Sequence, residues 1–539
     1  MNSPEQIFSE YKNIRLHKES LGSRGMYEQN KINERFFVGD QWYGARCGNE
    51  RPLVRYNLIK RIGEYKMSAL LSSEPQIVYS AEGIPNTVTA GKRIAQLRSR
   101  LAEGEKITTD TAEEEISLAI SALNDYQRVT AERLKLSGIS EQALRNAYIS
   151  GTGIVYTYWD ADILTGLYAD AKRETAIKGD IVSEVLDIEN VYFGDSKTED
   201  IQHQPYIIIA SELSLEDARR EAVKNGVGLE NYNNIKPDNE ATSDKVTVLT
   251  KLYKVWNEDG TEFRIFAKRV TETAVIREEW DIGVRLYPLA KFCWERRNGS
   301  TYGESEITYL IPNQIAINRM ITSGVWSAMS TGMPTLVVNG DIVGGEITND
   351  PGQIIKVYGT PEDTEHALHY VSPPDYSGNF TSVIEPLIEN TLSQSGANSA
   401  ALGDVDPQNT SAILALRNAA MMPLRMLSNR YYGFLEDISR IWAEFWITKY
   451  GKRRLKIEDE NGVWYMEFNG DKYKDIILSA KVEVSLSDSS NSEMSIKVLD
   501  NLLSRGDITL KQYIKRLPRG IIPESEELLR SLREDRNEG

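Results

Sequence analysis

The sequence has few of the residues from which disulfide frameworks and metal sites are built. It holds 2 cysteines, Cys47 and Cys293, and 4 histidines in 539 residues. Two cysteines do not make a disulfide framework, so a reducing compartment is expected. His366 and His369 have the i, i+3 spacing of a helix face, but no cysteine or third histidine lies near them. We therefore expect surface histidines, no metal site and no cofactor.

Long apolar runs are also missing. No segment approaches the roughly 18 consecutive apolar residues of a membrane helix. Residues 1–5 contain neither a basic segment nor an apolar stretch, so they do not have the composition of a secretory signal. These two features predict a soluble protein with no membrane partner.

Motifs of common enzymes are absent as well. The sequence contains no G-x-S-x-G and no H-E-x-x-H. The glycine-rich stretch Ser150–Gly153 lacks the lysine of a phosphate-binding loop and precedes a β-rich run, so it predicts a turn between a helix and a strand. We expect that the protein is not an enzyme.

Positive charge is nearly absent from one long segment. The chain has 63 Lys and Arg against 79 Asp and Glu, a net charge of −16, which argues against tight generic DNA binding. Residues 298–416 carry thirteen acids but only two bases, Arg319 and Lys356. Three interpretations remain open for this segment: a solvated acidic face, a binding face for a basic partner, or a surface that repels a polyanion.

Apolar spacing in the first 300 residues predicts an α+β arrangement with helices and strands in separate blocks. Helices are expected over 5–37, 56–71, 110–149 and 215–225, and strands at 76–80, 154–159, 181–186, 191–194 and 205–210. Ser214 and Asp217 have the spacing of a helix cap. The pair Asp259-Gly260 predicts a hairpin between strands 246–256 and 262–270.

The second half of the chain has a different order of blocks. It begins with a predicted helix over 302–330, which Pro312 kinks or restarts, and a small β segment with strands at 335–338 and 354–358. A helix over 376–398, an irregular loop over 399–410 and a long helix over 411–449 follow. The last predicted elements are strands at 454–468 and 476–486 and a helix over 491–505. Apolar residues recur every three or four positions along 411–449, and Pro423 should bend that helix.

Three short segments resemble motifs of one protein family. Residues 37–42, Phe-Val-Gly-Asp-Gln-Trp, look like a G-D-Q-W segment, and residues 298–305, followed by Gln314 and Asn318, look like a Y-G-x-S…Q…N stretch. Residues 188–195 are similar to an N-x-F-x-D strand. In this order, and with the helix, β insertion, helix, loop and long helix that follow, the chain resembles the portal proteins of tailed bacteriophages.

The resemblance implies an α+β portal fold with a mixed α/β wing, a two-helix stem, a small β clip insertion, a long kinked spine helix and a helical crown. The implied boundaries are wing 1–300, first stem helix 301–330, clip 331–374, second stem helix 375–398, tunnel loop 399–410, wing 411–487 with the long helix and strands, and crown 488–539. The acidic segment then coincides with stem, clip and tunnel loop.

The resemblance also implies a role and partners. The chain would form a homo-oligomeric ring, typically of twelve subunits, at one capsid vertex of the virion, after assembly in the host cytoplasm. Double-stranded DNA would pass through the ring during packaging and ejection. The terminase large subunit, a neck or adaptor protein, and the major capsid and scaffold proteins would bind it. An alternative is another head–tail structural or neck component, and a further one is a magnesium-dependent enzyme acting on nucleic acid.

Candidate site residues follow from these assignments. The tunnel loop supplies Asp404, Asp406, Gln408 and Asn409; the acidic stem supplies Glu304, Glu306, Glu385 and Glu389; the clip, facing terminase or neck, supplies Asp341, Glu346, Asp350 and Lys356. An acidic channel wall would keep contacts with DNA weak, because duplex DNA carries about one negative charge per 1.7 Å of its axis.

Overall fold

The computed structural model describes residues 3–42, 53–72, 75–81, 112–168, 176–238, 244–260, 262–331, 335–345, 347, 354–362, 367–371, 377–397, 422–459, 462–470, 478–484, 489–506, 508–510 and 513–514. The chain combines helix and sheet and is α+β, as predicted. It divides into two compact units. Unit 1 comprises Met1–Asn33, Gly63–Thr308 and Pro407–Gly539, and unit 2 comprises Glu34–Ile62 and Tyr309–Asp406.

The described helices and strands are as follows. The helices are α1 Pro4–Glu19, α2 Met26–Val38, α3 Leu58–Leu71, α4 Ala112–Arg133, α5 Leu136–Ser150, α6 Leu215–Lys224, α7 Leu229–Asn234, α8 Glu306–Thr331, α9 Ser377–Gln394, α10 Arg425–Lys449 and α11 Ser489–Ser504. The strands are β1 Pro75–Ala81, β2 Thr152–Tyr168, β3 Ala176–Leu186, β4 Val191–Phe193, β5 Tyr206–Ser214, β6 Lys245–Trp256, β7 Phe263–Val270, β8 Val275–Asp281, β9 Leu289–Cys293, β10 Thr335–Val338, β11 Val343–Gly344, β12 Lys356–Val357, β13 Leu368–Val371, β14 Lys452–Asp459, β15 Gly462–Asn469 and β16 Leu478–Val484.

Antiparallel sheets organise unit 1. Five strands pair in the order β4-β5-β6-β7-β8, and three pair in the order β3-β2-β9. The predicted hairpin is confirmed: β6 pairs antiparallel with β7, and Gly260 between them has a φ of +66°. The predicted cap is confirmed too, since the Ser214 hydroxyl accepts a hydrogen bond from the Asp217 amide at 3.1 Å. Ile7, Phe8 and Tyr11 of α1 join the core of the five-stranded sheet.

Helix α10 is the described part of the predicted long helix. Its apolar stripe is buried as expected, and Phe434, Trp442 and Phe445 are almost fully enclosed. Residues 411–421 lie outside the described residues. Pro423 sits in a short 3-10 turn, Met422–Leu424, directly before α10, so the described helix does not continue through it. Proline has no amide hydrogen to donate and clashes with the preceding turn, which explains the irregularity.

Pro312 does not restart α8. The helix runs from Glu306 to Thr331 with Pro312 inside it. Because Pro312 lies in the second turn, its missing amide removes one hydrogen bond near the start of the helix, the one that the Thr308 carbonyl would accept. The helix does not restart there, and its first residue is Glu306 and not Tyr302.

The β insertion of unit 2 has a different pairing from the one predicted. Strand β10 pairs antiparallel with β13, Leu368–Val371, which the sequence did not suggest. The predicted strand at 354–358 contributes only Lys356–Val357, which pairs with Val343–Gly344. His369 therefore lies on an extended strand, where the helical i, i+3 relation does not apply; His366 lies outside the described residues.

Candidate functional site

The structure describes half of the candidate site residues. Asp404, Asp406, Gln408 and Asn409, assigned to a tunnel loop, and Glu346 and Asp350, assigned to a clip, lie outside the described residues. The others are five acids and one lysine: Glu304, Glu306, Asp341, Lys356, Glu385 and Glu389.

Helix α9 exposes two of the predicted acids on one face. Glu385 and Glu389 are both exposed and are four residues apart, so they lie one turn apart on the helix surface. The helix contains no Lys, Arg or His. Two like charges at this spacing destabilise a helix by a few tenths of a kcal/mol. All the charged side chains of α9 are therefore negative.

The two described residues that were assigned to the clip are also exposed. Asp341 follows β10 in a turn, and its amide is hydrogen-bonded to the Asn339 side chain at 3.2 Å. Lys356 lies in the short strand β12. Both side chains can therefore meet a partner, and together they supply charge of both signs to the insertion.

Glu306 is not an exposed acid, and this corrects its assignment to an acidic stem surface. It is 7% exposed, and its carboxylate accepts hydrogen bonds from Lys66 Nζ at 2.6 Å and Trp294 Nε1 at 2.9 Å. A buried carboxylate needs a counter-charge and donors, and these two groups provide them. Its pairing with Lys66 satisfies the charge inside unit 1.

Glu304 is not a freely exposed acid either, because its backbone pairs with another segment. It forms an antiparallel bridge with Glu295, in which the Glu304 amide donates to the Glu295 carbonyl at 2.9 Å and the Glu295 amide donates back at 3.2 Å. The side chain is half-buried. Of the four acids assigned to the stem, only Glu385 and Glu389 are exposed among the described residues.

Two of the sequence motifs meet in one buried polar network in unit 2. The Gln314 side chain accepts from the Leu58 amide at 2.9 Å and donates to the Tyr56 carbonyl at 2.6 Å. Asn318 accepts from the Tyr56 amide at 3.0 Å and donates to Gln41 Oε1 at 2.6 Å. Gln41 belongs to the G-D-Q-W segment, so this motif and the Q…N pair act together to fasten the segment before α3 onto α8.

The glycine-rich turn and the Y-G-x-S motif meet in unit 1. Gly151 has a φ of +85°, and a Cβ added to it would lie 2.5 Å from the Gly303 carbonyl oxygen. A Cβ on Gly303 would lie 2.3 Å from the Gly151 oxygen. The Gly303 amide donates to Thr152 Oγ1 at 2.8 Å. The predicted turn between a helix and a strand is therefore at Gly151, between α5 and β2, and glycine is needed there because the two backbones touch.

The N-x-F-x-D segment is joined to the same motif through Gln204. This side chain is fully buried and donates to the Asp195 carbonyl at 2.8 Å and accepts from the Asp195 amide at 2.9 Å. Thr301, which is also fully buried, donates to the Thr198 carbonyl at 2.6 Å. These motifs were recognised in the sequence by their residue patterns. In the fold, their side chains hold backbone segments in position.

Unit 2 presents large apolar side chains to solvent. They occur on both long helices and on the insertion: Tyr309, Val325 and Met329 on α8, Val383 on α9, and Val337, Ile354 and Tyr358 between them. Ile354 is 88% exposed. Single exposed apolar residues need no explanation, but with Val38, Leu53 and Tyr56 they number ten in the described part of unit 2, and this is apolar area that another chain can cover. Sequence reasoning missed them because an exposed and a buried apolar residue look alike in a helical pattern.

No group of three or more metal-ligating side chains occurs in the part of the chain that the structure describes. None of the described helices is both long and apolar enough to cross a bilayer. The sequence matches no protein-family model and no curated protein.

Proposed function

We propose that this chain is the subunit of a phage portal: a ring at one capsid vertex through which double-stranded DNA passes, and on which terminase and neck proteins dock. Unit 2 would supply the stem and clip, with α8 and α9 as the stem helices and the strands between them as the clip. The protein would work by shape and charge, with no bond-making step of its own.

The observation that carries the proposal is the exposed apolar surface of unit 2. Leaving Met329, Val383 and Ile354 in water is unfavourable by about 25 cal/mol per Å² of apolar area. Neighbouring copies of the same chain would cover such a surface in a closed ring, because every copy presents both halves of a head-to-tail contact.

The charge of α9 supports a wall beside moving DNA. Glu385 and Glu389 face solvent on a helix that has no base. Lysine or arginine at these positions would bind phosphates, and a channel with six to ten such contacts would hold DNA strongly at low salt. A carboxylate surface keeps the DNA hydrated and free to slide.

The mass and shape of the purified protein test this proposal. Twelve copies of the 60.9 kDa chain give about 730 kDa. Size-exclusion chromatography with light scattering should show a particle of this order, and negative-stain images should show rings with a protrusion. A monomer at all salt concentrations would refute the proposal. A ring or sheath without a protrusion would favour a neck component.

A matched pair of variants tests the surface itself. Val383→Glu places a charge on the exposed face of α9, and Val223→Glu does the same on α6 of unit 1. Both positions are more than half exposed, so neither change should unfold the chain. We expect Val383→Glu to abolish the large particle, because a charge would be buried unpaired in the contact. Val223→Glu should assemble normally; identical assembly of both would argue against unit 2 as the contact surface.

A further inference from the structure

Unit 1 contains a cleft in which positive charge accumulates. It lies between β9 and the loop after it, the short 3-10 turn Ile201–His203, and α10, and its volume is about 320 Å³. The charged residues that line it are Lys291, Arg296, Arg297, Arg430 and Arg440 against Glu199, Asp200 and Asp437. Five cations and three acids give a local charge of +2, in a chain whose net charge is −16.

Two of the cations in this cleft are held by backbone carbonyls and not by carboxylates. Lys291 Nζ donates to the carbonyl oxygens of Glu199 at 2.6 Å and Thr301 at 2.8 Å. The Arg430 guanidinium donates to the carbonyl oxygen of Trp294. These hydrogen bonds fix the position of the two side chains but leave their full positive charge in the cleft.

The remaining cations are little better compensated. Arg296 and Arg297 are exposed and form no ion pair with any described residue. Arg440 approaches Asp437 only to 3.6 Å. The Asp200 carboxylate is engaged elsewhere: it accepts from the Gln202 amide at 2.8 Å and lies 2.7 Å from His203 Nδ1.

Burial opposes the charge of two of these side chains. Burial lowers the pKa of Arg430, and the neighbouring charge of Arg296 lowers it further, while Glu295 and Cys293 act in the opposite direction. Burial also lowers the pKa of Lys291; Arg296 adds to this effect, and Cys293, Asp200 and Glu199 oppose it. A bound anion would relieve both effects, since an opposite charge within about 4–6 Å favours the ionised form.

We infer that this cleft binds a small doubly charged oxyanion, such as the phosphate of a small phosphate ester. The local charge of +2 matches a phosphate monoester, which carries about −1.5 to −2 at neutral pH. Guanidinium groups present planar forks of donors that fit phosphate oxygens. A volume of about 320 Å³ is at the lower end for small-ligand sites and admits no duplex. The inference does not depend on the proposed function.

Calorimetric titration of the full chain with sodium sulfate tests the inference. Sulfate keeps two charges across the working pH range, and chloride holds the ionic strength constant. Arg296→Glu/Arg297→Glu should lose sulfate binding, and Arg296→Lys/Arg297→Lys should retain most of it. The matched control Lys236→Glu/Arg505→Glu changes the net charge equally at exposed residues outside the cleft, and it should bind like the wild type.

A variant of opposite sign sharpens the test. Asp437→Asn removes a negative charge from the cleft and should bind sulfate several-fold more tightly. Weak or absent binding to the wild type, or equal binding to the Arg296→Glu/Arg297→Glu protein, would overturn the inference. Binding of a poly-Glu peptide or a DNA duplex with no response to sulfate would also overturn it. Light scattering on the same samples reports assembly separately, so the ring and the anion site can fail independently.

Discussion

Lys18 is a fully buried cation whose partners are backbone oxygens. Its Nζ donates to the carbonyls of Ile188 and Val191 at 2.6 Å each and lies 4.1 Å from the ring centre of Tyr192. Burial lowers the pKa of its ammonium group to about 7, although the negative charges of Asp187 and Glu189 act in the opposite direction. This side chain fastens α1 to the segment that carries the N-x-F-x-D motif.

The stability of the protein should depend on pH through Lys18. Because its folded-state pKa lies below the unfolded value of about 10.4, the unfolded chain binds more protons between pH 7 and pH 10, and stability rises with pH in that window. In urea denaturation, the stability of the wild type relative to Lys18→Met should therefore increase by a few kcal/mol from pH 7 to pH 10. A difference that stays constant would mean that the ammonium remains charged throughout.

The buried pair of Lys66 and Glu306 makes a second prediction at this scale. Glu306→Gln leaves the Lys66 ammonium buried without a counter-charge, and it should lower the free energy of unfolding by about 3–5 kcal/mol. Lys66→Met/Glu306→Gln removes both charges and should recover much of that loss. Chemical denaturation of the two single variants and the double variant gives their coupling, and additive losses would contradict the pairing.

At the scale of elements, the contact between the turn after α5 and the segment before α8 depends on two glycines. Gly303→Ala would bring a Cβ to 2.3 Å from the Gly151 oxygen, so one backbone segment must move. We expect a loss of stability of about 2–4 kcal/mol, within the range of severe packing errors. Gly433→Ala is the matched control, because a Cβ added to Gly433 inside α10 would have no neighbour within 4 Å.

The control should change stability in the opposite direction. Alanine has a higher helix propensity than glycine, so Gly433→Ala should stabilise the protein by up to about 1 kcal/mol. Thermal unfolding of both variants measures the contrast. An equally small effect at Gly303 would show that the two segments separate at little cost.

Helix α10 shows how far an apolar pattern can predict an element. Spacing of three and four residues correctly identified the buried face that includes Tyr431, Ile438 and Phe445. The first part of the predicted helix, residues 411–421, lies outside the described residues; the described helix begins at Arg425, directly after the 3-10 turn that contains Pro423. The short strands of the insertion were predicted poorly because two-residue strands such as β11 are too short to show alternation.

For the whole molecule, the division into units follows contacts that are distant in sequence. Residues 34–62 belong to unit 2, although they were expected in the N-terminal wing. Gln41 is 277 positions from Asn318, and the hydrogen bond between them is buried. No local sequence pattern predicts this pair, since Gln and Asn side chains are also common on protein surfaces.

The proposed channel makes a prediction for the whole assembly. Asp404→Lys/Asp406→Lys would add phosphate contacts to the loop expected beside DNA, so assembly should be unchanged while DNA packaging is impaired. Light scattering checks the assembly, and an in vitro packaging assay measures the DNA retained in capsids. Substitution of the same acids by Asn is the control for loss of charge alone, and normal packaging by the lysine variant would remove the role assigned to this loop.

The sequence by itself determined the α+β class, the β6–β7 hairpin, the cap of α6 and the buried face of α10, because each rests on residues within a few positions of one another. Tertiary structure alone decided that Glu306 is a buried partner of Lys66, 240 positions away, and that four arginines and a lysine share a cleft. The sequence does not show whether a charged residue faces water or a counter-charge. Its role is fixed only when folding brings distant segments together and sets the cost of desolvating it.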